Sequence, residues 1–239
     1  MKAMTIAVLA SAAMALALGA NRHVQAQDAT GPYPNMASLD QYLMPDRNSE
    51  IALARSAAPP SIAKDATVMV LGRHGYETAV AGTNGFVCLV ERAWMGAFNS
   101  PEFWNPKNRG PSCYNAPAAR SVLPITFMRT KFVLAGQTKD EIHDSMKDAV
   151  EKNELPAVEQ GAMDYMLSKQ SRLNDRAGHW VPHLMFYVPF KEANTWGAGA
   201  PDSPILVNPH FNGAPEPVTE FMVPVSEWSD GTPASADAH

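Results

Sequence analysis

The sequence predicts an α+β domain with a mainly antiparallel sheet and two or more helices on one face, preceded by an N-terminal signal peptide. Three observations predict this class. Strand-like segments fall into two groups, at residues 67–91 and 163–225, and helical segments separate the groups at residues 115–153. Within the groups, polar loops join neighbouring segments. Such loops favour antiparallel pairing, whereas a parallel sheet would require strands and helices to alternate.

The first 26 residues have the layout of a secretory signal peptide. Lys2 supplies a positive start, residues 5–18 are apolar, and Val24-Gln25-Ala26 offers small residues for cleavage after Ala26. The alternative is an uncleaved anchor, but the apolar run is shorter than the ~20 residues that a membrane span needs. The mature chain is therefore expected to be exported, to the periplasm or out of the cell, with no membrane span.

The composition limits the kind of partner. Without Lys2 and Arg22, 17 basic residues remain against 24 acidic ones, which gives a formal charge of −7. An acidic chain without a basic cluster argues against nucleic acid and anionic membranes. We therefore expect a small molecule, a glycan or a peptide as partner, and the sequence identifies no cofactor and no oligomeric state.

Four regions are expected along the chain. The signal peptide covers residues 1–26, and an N-terminal arm with short helices covers residues 27–63. A single α+β domain follows at residues 64–228, and a flexible tail at residues 229–239 ends the chain. A mature chain of this length is expected to form one sizeable core, or at most two small ones.

Three strands are predicted at the start of the domain. Residues 67–71, 76–80 and 86–91 are rich in branched side chains. Asn84-Gly85 between the last two favours a tight hairpin, because both central positions of such a turn need positive φ. These segments predict a three-stranded meander over residues 67–92.

The two cysteines, Cys88 and Cys113, are expected to form a disulfide in an oxidising compartment. The alternative is a pair of buried free thiols. Cys88 lies in the middle of the third strand, whereas residues 94–114 have no periodicity and are predicted to form a loop. The bond would fasten this loop to the sheet.

Two helices are predicted next. Asn115 begins the first, Pro124 kinks or splits it, and Gly136 ends it. Thr138 and Glu141 form a capping box that begins the second, which ends near residue 153.

The last strands are predicted at residues 163–167, 183–188, 205–207 and 218–225. In the first two, both faces are largely apolar, as in a central strand covered on both sides. We expect these two strands to pair across a polar loop.

Four blocks of the sequence carry a resemblance: residues 85–92, the Phe103-Trp-Asn-Pro106 segment, residues 179–186, and Trp228-Ser-Asp-Gly231. Together they resemble a family of uncharacterised exported bacterial proteins, over residues 64–231. The resemblance implies no activity and assigns no catalytic residue.

One functional hypothesis is a metal-dependent or acid–base hydrolase built on His179 and His183. Pro182 keeps the two histidines off a common helix, so they would have to converge across a bend. The simpler alternative makes His183 a hydrogen-bonded strand residue and His179 a loop residue. The candidates to complete a site are His74, Glu77, Glu91 and Asp164.

The other hypothesis is a binding or accessory module that uses the aromatic loop. Rigid rings give contact area at little entropic cost, although rings in a long loop also commonly anchor it to the core. Glu91-Arg92, beside this loop, forms either a structural ion pair or the polar end of a pocket. The sequence leaves these alternatives, and the question of catalysis, open. The predicted ligand-binding residues are Arg92, Trp94, Phe103, Trp104 and Tyr114.

Overall fold

A computed structural model describes residues 31–175, 181–189, 195–207 and 214–234. They form one eight-stranded sheet in the order β2-β1-β3-β4-β5-β6-β8-β7, with every pair antiparallel except β1 with β3. The predicted α+β class is confirmed. The strands are β1 Thr67–Gly72, β2 Gly75–Val80, β3 Val87–Glu91, β4 Gly110–Tyr114, β5 Met163–Met166, β6 His183–Pro189, β7 Leu206–Val207 and β8 Val218–Pro224.

The described residues also form five α-helices and two short 3-10 turns. The predicted split of the first central helix before Pro124 is confirmed, because Val122 ends one helix and precedes the next. The Thr138–Glu141 capping box is also confirmed. The helices are α1 Arg47–Arg55, α2 Pro60–Ala63, α3 Ala116–Ser121, α4 Leu123–Leu134 and α5 Lys139–Glu151, and the turns are Leu39–Gln41 and Ala93–Met95.

The predicted meander is wrong at the link between β2 and β3. β3 pairs with β1, in parallel, so no hairpin forms at Asn84-Gly85. The link instead returns along the start of β1: Thr83 N donates to Asp65 O, and the Asn84 amide donates to Ile62 O. These contacts outweigh the local turn preference of Asn84-Gly85, and the hairpin lies at the β1–β2 turn.

The predicted loop over residues 94–114 is wrong at its end, because residues 110–114 form β4. Here Cys113 lies directly opposite Cys88 on β3. The predicted disulfide between them is confirmed. The bond therefore joins two adjacent paired strands, and it closes the intervening segment at its base.

Two apolar cores lie on opposite faces of the sheet. On one face, α1 packs over Cys88, Val90 and Cys113. On the other, α3, α4 and α5 cover residues such as Leu89 and Tyr114. The prediction of at least two helices on one face is confirmed, and α1 adds a partial layer to the other.

The ends of the chain are described in part. The predicted signal peptide, at residues 1–26, lies outside the described residues, and no helix within them is long and apolar enough to cross a membrane. In the predicted N-terminal arm, Tyr42 and Leu53 are buried in the two cores. At the other end, Ser229 N donates to Leu167 O, and Ala234 N donates to Ser226 O.

Candidate functional site

A cavity of about 760 Å³ lies on the face of the sheet that carries α3–α5. The sheet contributes alternate residues from several strands, because side chains on a strand alternate between its faces. The start of α4 contributes Ile125 and Thr126, and β7 contributes Leu206 and Val207. The sheet residues that line it are Glu91, Gly110, Tyr114, Met166, His183, Met185, Tyr187, Glu220 and Met222.

One wall of the cavity is the segment of residues 92–109, which the disulfide closes at its base. Its lining side chains are mostly small or flexible, among them Ala93, Met95 and Ala97. Its large rings point elsewhere: Trp94 is fully buried, and its indole N–H donates to Thr130 Oγ1 at 3.0 Å. The rings hold this segment to the core, and the small residues between them leave space for a ligand.

The structure divides the five predicted ligand-binding residues into two groups. Arg92 and Tyr114 line the cavity. Trp94, Phe103 and Trp104 are buried in the core and do not line it. Phe103 and Trp104 do border a smaller recess of about 320 Å³ near the start of α5.

Arg92 is held by contacts within the protein. Its Nη2 donates to Glu50 at 2.8 Å, its Nε donates to the Tyr42 carbonyl at 2.8 Å, and its Nη1 donates to the Val90 carbonyl. The structure thus pairs Arg92 with Glu50, and Glu91 is not its partner. Glu91 and Arg92 nevertheless both line the cavity.

Glu91 provides a carboxyl group at the end of β3. Its Oε1 accepts hydrogen bonds from the Tyr114 hydroxyl and, at 3.5 Å, from Thr126 Oγ1. Burial raises the pKa of the Glu91 carboxyl, while the two hydroxyls and the charge of Arg129 act in the opposite direction. The group is therefore biased toward its protonated form.

Asp164 on β5 lies behind the cavity wall and is only 1% exposed. From the described residues, no hydrogen bond of good geometry reaches either carboxylate oxygen, although the Ser112 and Tyr187 hydroxyls are near enough to favour the charged form. Burial, reinforced by the charges of Glu91 and Glu220, raises the pKa of Asp164 well above its usual value. A buried carboxyl without hydrogen bonds is costly, so its position requires an explanation.

Among the described residues, three carboxyl groups therefore lie on this face of the sheet: Asp164 on β5 and Glu220 on β8 are buried, and Glu91 on β3 is partly buried. Their negative charges disfavour one another. Burial and these charges also raise the pKa values of Tyr114 and Tyr187 well above the usual value. The result is a group of carboxyls beside an apolar space, with the pKa values of Glu91 and Asp164 raised.

His183 is 4% exposed and lines the cavity at the start of β6. Its Nδ1 lies 2.7 Å from the Val181 carbonyl oxygen. Because a carbonyl only accepts, Nδ1 carries the proton of this hydrogen bond. The predicted hydrogen-bonded strand histidine is thus present, and it faces the same space as Glu91.

The remaining metal candidates are not brought together. His74 is exposed in the β1–β2 turn, and Glu77 pairs with Arg47 at the surface. His179 lies outside the described residues. Within the part of the chain that the structure describes, no three His, Cys, Asp or Glu side chains are placed to hold a metal ion. The metal site on His179 and His183 stays a prediction.

Sequence reasoning missed Glu220 and Tyr187 as members of the site. A signal for Glu220 was present: it is a charged residue within the otherwise largely apolar strand of residues 218–225. A glutamate in a strand covered on both faces has to point into a polar site or an ion pair. Asp164 gave the same signal in β5, although from the sequence it was a candidate only as an additional metal ligand.

Comparison of the chain with protein-family models, with curated proteins and with solved structures found no match. The resemblance to uncharacterised exported bacterial proteins therefore remains an expectation.

Proposed function

We propose that this protein is an exported binding module that holds a small, largely apolar molecule in the 760 Å³ cavity. The observation that carries the proposal is the cavity itself. Small-molecule sites have volumes of roughly 300–1,000 Å³ and apolar linings with a few convergent polar groups. A lining of methionine, isoleucine, leucine and valine side chains, with one acidic region, has this character.

A small molecule suits the site better than a glycan or a peptide. Glycan sites present exposed aromatic faces and many hydrogen-bonding groups, whereas Trp94, Phe103 and Trp104 are buried. A peptide needs an open groove or a free strand edge. This cavity lies between the sheet, α4 and the segment of residues 92–109.

Export is part of the proposal. The layout of residues 1–26 supports it, and the Cys88–Cys113 disulfide is consistent with an oxidising compartment. Amino-terminal sequencing of the protein from culture fractions tests it. A mature chain that begins at Gln27 is expected, and an unprocessed chain retained in the cytoplasm would contradict it.

The binding proposal can be tested with a neutral apolar fluorophore such as N-phenylnaphthylamine. We expect saturable binding at one site, with increased emission in the apolar cavity. Ala97 lines the cavity, so Ala97→Phe should fill it and weaken binding by about tenfold or more. Ala135→Phe, at an exposed position after α4, is the matched control and should bind as the parent does.

A second variant that fills the cavity shows whether weaker binding in the first one is due to misfolding. Met222→Trp enters the same space from β8. Circular dichroism and the unfolding transition establish that each variant is folded. If folded Ala97→Phe and Met222→Trp both bind the fluorophore with the parent's affinity, the cavity is not the binding site.

Acid–base hydrolysis is the second candidate. The observation that favours it is the shared position of Glu91 and His183 on the cavity lining, with the pKa of Glu91 raised by burial. General acids commonly have pKa values shifted toward the working pH in this way. Turnover of nitrophenyl esters or glycosides that is lost in Glu91→Gln would favour this candidate, and its absence across such a panel would leave the binding module.

A further inference from the structure

We infer that the molecule held in the cavity is an organic cation: an apolar body that carries a protonated amine or quaternary ammonium group beside Glu91 and Asp164. This inference rests on the proposed function and adds the chemical class of the ligand. Three features support it: the buried carboxyl of Asp164, the other carboxyls on the same face of the sheet, and the rings of Tyr114 and Tyr187.

The first step is the position of Asp164. In the sheet register it lies opposite Tyr114 on one side and Met185 on the other, and both of those residues line the cavity. Met166, two residues along the same strand, lines it as well. Residues i and i+2 of a strand share a face, so the Asp164 carboxyl is on the cavity side. Asp164 itself lies just behind this lining. In the described structure the Ser112 and Tyr187 hydroxyls are near its two oxygens but make no hydrogen bond of good geometry, and a ligand that donates N–H groups would supply one.

The second step is the charge around that carboxyl. Glu91 on β3 and Glu220 on β8 line the cavity, each two strands away from β5 in the sheet, and each adds negative potential at Asp164. Within the described residues, no ion pair joins Glu91 or Asp164 to a lysine, arginine or histidine. A positive charge placed here would be attracted by several carboxyls at once in a poorly solvated site.

The third step concerns the nearby arginines, which already have partners. Arg92 is paired with Glu50, and Arg129 with Glu216, each pair being almost completely buried. Arg129 also donates to the carbonyl groups of residues 94–96. These arginines are therefore poor receptors for an anionic ligand, and they leave Glu91 and Asp164 to a cation.

The fourth step is the aromatic contribution. The rings of Tyr114 and Tyr187 stack at 6.2 Å between centroids, and both residues line the cavity beside Asp164. Aromatic faces attract cations, particularly alkylammonium groups in a desolvated site. The methionine side chains of β5, β6 and β8 then suit an apolar body, because they adapt to irregular shapes.

An organic cation also fits better than a metal ion. Within the described residues, no three acidic or histidine side chains converge closely enough to ligate a metal. An ammonium group needs only hydrogen-bond acceptors and ring faces at looser distances. The volume of the cavity, moreover, is far larger than an ion requires.

The test compares three ligands of the same chain length: hexylamine, hexanol and hexanoate. Each is titrated against the bound N-phenylnaphthylamine at about pH 8, where an alkylammonium group is still protonated because its pKa is near 10.4. We expect hexylamine to displace the fluorophore about tenfold more strongly than hexanol, and hexanoate to be the weakest. Asp164→Asn and Glu91→Gln should each remove most of the amine's advantage over hexanol. Asp40→Asn, at an exposed site, should leave all three unchanged.

The pH dependence gives a second readout. Because the pKa values of Glu91 and Asp164 are raised, a cation that binds beside them favours the loss of their protons. Affinity for hexyltrimethylammonium, whose charge is permanent, should therefore increase as the pH rises above the usual carboxyl range, and the increase should be smaller in Asp164→Asn. The affinity for hexanol should not change with pH.

Each outcome is decisive. Equal displacement by the three ligands, preference for hexanoate, or displacement by none of them overturns the cation inference while the binding proposal stands. Failure of the fluorophore itself to bind overturns the proposed function first. Amine preference that persists unchanged in both Asp164→Asn and Glu91→Gln also overturns the inference.

Discussion

Tyr114 lies directly opposite Asp164 in the β4–β5 register, yet its hydroxyl donates a hydrogen bond to Glu91 on β3. Glu91 is therefore stabilised by a hydroxyl, while the carboxyl of Asp164 has no such bond. Two carboxyls near one cavity thus have different environments. Enzymes and binding proteins use such differences to give neighbouring acids different protonation states.

The first prediction concerns Asp164 and pH. Because its pKa is raised in the folded protein, the folded state keeps a proton that the unfolded chain releases above about pH 3.9. The stability that this proton provides is complete below that pH and is lost as the pH rises toward the folded pKa. Asp164→Asn should remove this decline, and its free energy of unfolding should exceed the parent's by about 0.5–2 kcal/mol near neutral pH. Urea unfolding at acid and neutral pH measures the difference.

Asp230 is the control for that prediction, because its shift has the opposite sign. A hydrogen bond from Lys169, with others from Thr232, lowers the pKa of this exposed carboxyl. The stability that the ionised Asp230 carboxylate provides is present above its pKa in the unfolded chain, and it is lost as the pH falls. Asp230→Asn should therefore be less stable than the parent at neutral pH, and the two should converge in acid. If the free energy of unfolding of Asp164→Asn exceeds the parent's by the same amount at every pH, the raised pKa of Asp164 is contradicted.

The second prediction concerns the buried pair of Arg129 with Glu216, whose Nε and Oε1 are 2.7 Å apart. Arg129→Met leaves a buried carboxylate without its ion-pair partner and should cost about 3–5 kcal/mol. Glu216→Gln should also destabilise, and the double variant should cost less than the sum of the two changes. Additive costs in this double-mutant cycle would mean that the pair does not act as a unit.

The third prediction concerns Gly82, in the link between β2 and β3. A Cβ at this position would lie 2.1 Å from the backbone N of Thr67 and 2.2 Å from the carbonyl carbon of Ala66. Gly82→Ala should therefore push the link away from the start of β1 and cost about 1–3 kcal/mol. Gly72→Ala, where the nearest atom would be 3.5 Å away, is the matched control and should be nearly neutral. Equal thermal unfolding of the two variants would contradict the close approach.

The fourth prediction concerns the disulfide. It links residues 25 positions apart, so its reduction should lower the free energy of unfolding by about 2–4 kcal/mol. The Cys88→Ala, Cys113→Ala double variant should be destabilised too, and addition of a reductant should not change it further. Fluorophore binding should weaken in both cases, because the bond closes the segment that forms one cavity wall. Parent protein whose unfolding is insensitive to reductant would contradict this role.

Local signals in the sequence predicted much of the fold. Thr138 with Glu141 fixed a helix start, and Pro124 fixed a helix break, because both act through the nearest turns of the chain. Asn84-Gly85 led to a wrong prediction because it, too, is a local signal. Its local preference for a hairpin was overridden by hydrogen bonds to residues some 20 positions earlier, which a local pattern does not contain.

The site was predicted only in part. Glu91, Arg92, Tyr114 and His183 were named from the sequence, and all four line the cavity. Their convergence depends on strand register between distant segments, such as Tyr114 with Asp164, and no local pattern encodes it. The aromatic residues were conspicuous in the sequence, but their burial could be judged only once the sheet was assembled.

The two faces of the sheet have different roles. The side that carries Cys88, Cys113 and α1 provides a cross-linked scaffold, and the opposite side provides the cavity. Substitutions among the cavity methionines can therefore alter which molecule fits without touching the scaffold. Such a division makes the chain a candidate for redesign as a sensor, with new ligand preferences selected on one side of a fixed frame.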